Sequence, residues 1–189
     1  MMETVAGSEE SRKTALPKNP VELLALLEQH VRDGKHLREA TLEGALLHGI
    51  QLRKADMECI NLSRADLSDA NLRGADLEDA ELGHAILAGA NLKHADLSGA
   101  NLQGADLRGA NLQKANLEGA DLSEADLTGA SLAGANLDDA VLVRAKFVKA
   151  DLAEAKLNRT DCLEADFREA RMIDVDLVEA RMISTDLRG

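Results

Sequence analysis

The chain has 189 residues, enough for one domain, yet aromatic residues make up 1% of it: two Phe, with no Trp and no Tyr. An ordinary globular core draws on aromatic bulk, while 45% hydrophobic content excludes a disordered polymer, so a thin core of Ala and Leu is predicted. A net charge of −12 disfavours direct contact with nucleic acid or an anionic membrane, and no apolar run reaches the ~18 residues of a membrane-spanning helix.

Residues 1–18, MMETVAGSEESRKTALPK, lack the apolar stretch of a secretory signal. They are expected to form a disordered tail, and the protein is placed in the cytoplasm. Residues 19–34, NPVELLALLEQHVRDG, read as a capped helix. Asn19 is a good N-cap, Pro20 suits the first helical position and Gly34 suits the stop. Val21, Leu24, Leu27 and Val31 are expected to share one stripe and to cover the start of the region beyond residue 34. The polar side of this helix is not basic, which argues against membrane binding.

Residues 35–189 are dominated by a period of five. From Ala40 to Gly189 thirty pentapeptides succeed one another in one frame without insertion. The central residue is Leu in 24 of them, with Met57, Phe147, Cys162, Phe167, Met172 and Met182 as exceptions. The residue two before it is Ala in 25, the exceptions being Ile50, Ile60, Thr160, Val175 and Thr185. In a helix, five residues advance roughly 500°, so successive Leu would line no face. In a long strand, an odd period sends them to opposite sides. A short extended segment followed by a corner keeps Ala and Leu pointing the same way. Eleven of the 14 Gly fall two places after the centre, where a type II turn needs a positive φ. Asp139, Arg144, Lys149, Glu154 and Arg159 occupy that place further on, so a change to type I turns is expected near Asp139.

The A(D/N)LxG repeat, as in ADLSGANLQGADLRGANLQ from Ala95, resembles the pentapeptide repeat family over about four-fifths of the chain. The resemblance implies an all-β solenoid, a right-handed quadrilateral β-helix with four pentapeptides per coil. It therefore implies about 7.5 coils, here with an N-terminal capping α-helix. At ~4.8 Å per coil the rod would be roughly 36 Å long. Phe147 and Phe167, 20 residues apart, would then stack in the interior, and the Met and Cys centres nearby suggest a looser core in the last two coils. The repeat runs to the last residue, so the C-terminal coil is expected to be uncapped, with a homodimer through it as one way of covering it.

Chemistry-bearing constellations are scarce. His30, His36, His48, His84 and His94 are scattered, and none pairs with Cys or carboxylate at ligand spacing. Cys162 takes a central position and reads as core; Cys59 takes an outer one and reads as an exposed thiol. No catalytic residue, cofactor or metal is expected, and the protein is read as a non-enzyme.

Charge is distributed unevenly once residues 20 apart are placed on one side. The side centred on Met57, Leu77, Leu97, Leu117 and Leu137 carries Asp56, Glu58, Asp76, Glu78, Asp79, Asp96, Glu118, Asp138 and Asp139 as a candidate acidic interaction face. Asp176 and Glu179 continue it, Lys156 and Arg159 interrupt it, and the side totals −9. The preceding side, centred on Leu52, Leu72, Leu92 and Leu112, carries Arg53, Lys54, Arg73, Lys93 and Lys114 and totals +3. Nine acids within ~19 Å approach the linear charge density of duplex DNA, about one charge per 1.7 Å. The resemblance extends to family members that are acidic rods imitating DNA at gyrase. This chain departs from those in having Leu rather than Phe centres, no loop interrupting the coils and no C-terminal helix. Val141, Val143, Leu163 and Ile183 form a candidate apolar patch for a partner or a dimer near the C-terminus. The expectation is a bacterial, non-enzymatic scaffold or regulator that binds a protein not identified by its sequence. An acidic DNA mimic directed at gyrase or a topoisomerase is the alternative.

Overall fold

In the computed structural model, residues 19–189 are described; the expected tail, 1–18, lies outside them. One helix, α1 (Pro20–Arg32), precedes the repeat. The Asn19 side chain accepts a hydrogen bond from Val21 N at 3.0 Å, and Pro20 occupies the first turn. At the other end, Gly34 N donates to Val31 O and Lys35 N to His30 O, with Gly34 at φ 71°. This pair of bonds closes the helix with its last carbonyls satisfied. Leu23 and Leu27 are buried in the core cluster, and Leu24 and Val31 pack against it. Val21, expected on the stripe, is instead 72% exposed. At roughly 100° per residue it stands about 100° from the middle of the Leu23–Leu24–Leu27–Val31 face. The Glu28 carboxylate accepts from Gln51 N at 3.0 Å, tying α1 to the first turn of the repeat.

The repeat winds with four pentapeptides per turn. Parallel bridges join residues 20 apart in unbroken series, from Thr41↔Asn61 to Asp166↔Asp186. Among the described residues the β structure consists of these single-residue bridges, because a corner follows every extended pair before a longer strand can form. Inward positions follow the expected frame: Leu42 to Leu157 at the centres and the Ala two places before them are almost wholly buried. The frame begins one pentapeptide earlier than Ala40, at Leu37, which is buried and donates its N–H to Asp56 O.

Backbone pairing explains why the unit has five residues. Around Leu62, the Asn61 N–H bonds Ala40 O in the previous coil. Leu62 N–H and Arg64 N–H bond Glu81 O and Gly83 O in the next coil, and Ala65 N–H closes the corner onto Leu62 O. Four of five amides are thereby used in a unit that has a coil on either side. The fifth belongs to the residue after the centre, and the Asp or Asn before the centre accepts it: Ser63 N to Asn61 Oδ1 at 3.0 Å, Ser123 N to Asp121 Oδ1 at 2.9 Å. The consensus A(D/N)LxG is therefore core, amide acceptor, core, free surface and corner.

The corner keeps one geometry throughout. Asp139, Arg144, Lys149, Glu154 and Arg159 have φ between 57° and 62°, so the expected change to type I turns does not occur. The residue at that corner donates its N–H to the next coil, as Asp139 does to Asn158 O and Arg144 to Leu163 O, both at 2.9 Å. A type I turn would rotate that N–H out of the ladder, so the bond outweighs the ~1–2 kcal/mol strain of a left-handed non-glycine residue.

Phe147 and Phe167 stack as expected, with ring centroids 4.7 Å apart and planes at 5°. Thr160, an inward exception, donates its hydroxyl to Leu157 O at 2.8 Å, and Thr185 donates to Cys162 O at 2.9 Å. In the last coil Met172, Val175, Leu177 and Met182 are only partly buried.

Candidate interaction surfaces

The acidic side divides by position within the unit. Asp76 and Asp96 precede a centre, so each spends one oxygen on the local amide: Glu78 N to Asp76 at 3.2 Å and Ser98 N to Asp96 at 3.0 Å. Asn116 Nδ2 also donates to Asp96 at 3.0 Å. Glu58, Glu78, Asp79, Glu118, Asp138 and Asp139 come after a centre and project from the surface.

Both ends of the stripe are closed by arginine. Arg38 Nε lies 2.7 and 2.8 Å from the two Asp56 oxygens, and its Nη1 also pairs with Glu58. Arg159 grips Asp139 with two bonds of 2.7 Å and holds its carboxyl below the ordinary value, chiefly through the hydrogen bond. Asp138 accepts from Asn158 N at 3.0 Å, and Glu118 accepts from Asn136 Nδ2 at 3.1 Å. Between the arginines, Asp76, Glu78, Asp79 and Asp96 have no cationic partner among the described residues. Partial desolvation, then the charges of Asp79, Asp96, Glu58 and Asp76, push the Glu78 carboxyl above its ordinary value. Nine expected acids thus reduce to a mutually repelling group across two coils, with Glu118 and Asp138 beyond it. The clamp by Arg159 was readable from its 20-residue offset to Asp139. The clamp by Arg38 was not, since it stands before Ala40 and 18 residues from Asp56.

On the preceding side, Arg53, Lys54, Arg73, Lys93 and Lys114 take part in no ion pair among the described residues. Lys93 Nζ donates only to the neutral Gln113, at 2.9 Å.

The apolar patch is brought together in part. Val143, Leu163 and Ile183 form one column, coil on coil, with the first two half-buried and Ile183 exposed. Val141 stands in another column, bridged between Asp121 and Asp161. Exposed Ile173 and Val178, which sequence reasoning did not single out, lie on the same last coil.

Cys59 is exposed, and partial desolvation followed by Glu58, Asp79, Glu39 and Glu78 raises its thiol above the ordinary value. Cys162 is buried 3.3 Å from the Thr160 hydroxyl. Among the described residues no three His, Cys, Asp or Glu are grouped to hold a metal ion, and no helix is long and apolar enough to cross a membrane.

A family model described as pentapeptide repeats matches in several copies that together run from residue 36 to residue 189. Among solved structures, HetL, a pentapeptide repeat protein involved in heterocyst differentiation regulation from the cyanobacterium Nostoc, is 35% identical. That match covers 78% of this chain and 76% of HetL, with a TM-score of 0.43. A pentapeptide repeat protein from the Arabidopsis thaliana thylakoid lumen is 36% identical over 53% of this chain and 70% of its own, with a TM-score of 0.50. QnrB1, a plasmid-mediated fluoroquinolone resistance protein, is 19% identical over 80% of this chain and 88% of its own, with a TM-score of 0.45. No curated protein matches the chain.

Proposed function

The chain belongs to the pentapeptide repeat family, whose members form right-handed quadrilateral β-helices and are generally structural or interaction proteins. From that premise we propose that it is a non-enzymatic protein-binding scaffold or regulator in a bacterial cytoplasm. Its recognition surface is the acidic side of the rod. The observation that supports this most is the stretch from Asp76 to Asp96, left without cations between two arginine-clamped ends. Charge that repels itself and is not neutralised at home is complementary to a basic protein surface. Coils capped by α1 and stacked to about 7.5 turns would hold that surface rigid.

The alternative uses the same stripe: a DNA mimic occupying the DNA-binding surface of gyrase or a topoisomerase. One set of variants tests both. Asp76→Asn, Glu78→Gln, Asp79→Asn and Asp96→Asn remove the charge, and Asn at 76 and 96 retains the amide acceptor. The immobilised wild type is expected to retain a protein from bacterial extract that the neutral variant loses at least tenfold. A Leu163→Glu variant, altering the apolar column where a partner or a homodimer would otherwise dock, is expected to keep it. Equal capture by the wild type and the neutral variant would overturn the acidic surface. Loss with Leu163→Glu alone would transfer the function to the apolar column. Inhibition of gyrase supercoiling by the wild type but not by the neutral variant would establish the mimic.

A further inference from the structure

The acidic and basic sides adjoin: residues 50–54 form one side of a coil and 55–59 the next. Their charges change together down the rod. Arg53 and Lys54 share a coil with Asp56 and Glu58; Arg73 with Asp76, Glu78 and Asp79; Lys93 with Asp96; Lys114 with Glu118. Five coils along, both sides reverse sign in the same coil, with Asp151 and Glu154 on the first and Lys156 and Arg159 on the second. Asp151 and Arg159 are held vertically, by Arg171 and Asp139. Glu154 and Lys156, like the basic residues above them, take no ion-pair partner among the described residues. The two sides carry opposite charge in five of the seven coils, the exceptions being 130–139 and 170–179, where the first side is neutral, yet they do not neutralise each other within one chain.

We propose that the acidic stripe receives the basic stripe of a second copy, in a closed ring of four parallel rods. This rests on reading the stripe as a protein-binding surface, and it names the partner. Each coil has a four-sided cross-section, so the two stripes face outward at roughly a right angle. The contact joins unlike surfaces, and no two-fold axis can satisfy it with one neighbour. A quarter-turn about an axis parallel to the rods brings the basic side of each copy onto the acidic side of the next, and four such steps close. In the five coils where the charges match, they match within the coil, so the copies need no axial shift and the assembly closes instead of growing as a filament. Both surfaces have the same rise per coil, so opposite charges stay in register along the contact.

Sedimentation velocity of the full chain tests this near 10 mM salt, where screening extends about 30 Å, and near 1 M, where it extends about 3 Å. The wild type is expected at four times its 20.2 kDa mass in low salt and as a single chain in high salt. A base-reversed variant, Arg73→Glu with Lys93→Glu, and an acid-reversed variant, Glu78→Lys with Asp79→Lys and Asp96→Lys, are each expected to stay single in low salt. Mixed in equal amounts, they are expected to recover the four-chain species, because alternating copies again oppose acid to base at every contact. Circular dichroism of each variant confirms that it is folded. A wild type that remains single in low salt, an assembly indifferent to both reversals, or a mixture that fails to assemble would overturn the ring. Those results leave the stripe's binding of a different protein to be decided by the capture experiment.

Discussion

The Asp or Asn that precedes most of the central residues reads in the sequence as one more outer side chain, yet the fold uses it as a backbone acceptor. Asp121 is representative: its Oδ1 takes the Ser123 amide at 2.9 Å, the amide that neither the ladder nor the corner uses. Asp121→Ala is therefore expected to cost about 1 kcal/mol, and Asp121→Asn to cost almost nothing, measured by chemical denaturation. Equal costs would show that charge, not amide capture, selects the residue. The same position marks a limit of what sequence alone can distinguish. Counting Asp76 and Asp96 with Glu78 and Asp79 treats four carboxylates as equivalent. Only the hydrogen bonds separate the two that serve the backbone from the two that face solvent.

At the scale of elements, periodicity carried most of the information. A five-residue repeat of Ala and Leu admits few geometries, so the inward frame and the corners were legible in the sequence, while the Phe147–Phe167 stack followed from the four-unit coil that the family resemblance implies. The persistence of the type II corner was not legible, because the bond from Asp139 N to Asn158 O joins residues of different coils. Nor was the exact face of α1, where the hydrophobic pattern admitted Val21 and the packing chose Leu23. Leu27 is 1% exposed within the core cluster. Leu27→Ala is expected to lower stability by about 2–5 kcal/mol and to expose the first coil to faster amide exchange, whereas Val21→Ala should change it by less than about 0.5 kcal/mol. Similar effects from both substitutions would show that α1 does not pack through this face.

Across the whole molecule, the carboxylates respond to acid in two opposing ways. Hydrogen bonds from Ser68, Arg108, Arg159 and Arg168 hold Asp66, Asp106, Asp139 and Asp166 below their ordinary values, and Arg188 lowers Asp186 to about 2. Their contribution is present above the ordinary carboxylate pKa, near 3.9, and disappears as pH falls towards 2. Glu78 is shifted upward, so its charge opposes folding at neutral pH, and its protonation removes that opposition as pH falls towards the ordinary Glu value, about 4.3. The melting temperature is expected to rise slightly as pH falls from neutrality towards about 4.3, and to drop below about 3.9. Glu78→Gln should remove the rise and keep the drop. A curve falling steadily from pH 7 would contradict the upward shift.

The constant offset of 20 residues sets the interior and the exterior different rules for change in length. Losing or gaining one five-residue unit would leave every Leu pointing inward and every ladder bond available, so the rod would still fold. Everything downstream would nevertheless be rotated by a quarter-turn, and the acidic stripe would break off and resume around the corner. Gains or losses of twenty residues alone preserve both. A lineage of such rods could drift in length by fives if selection saw only folding, but must step by twenties wherever a partner reads one side from end to end.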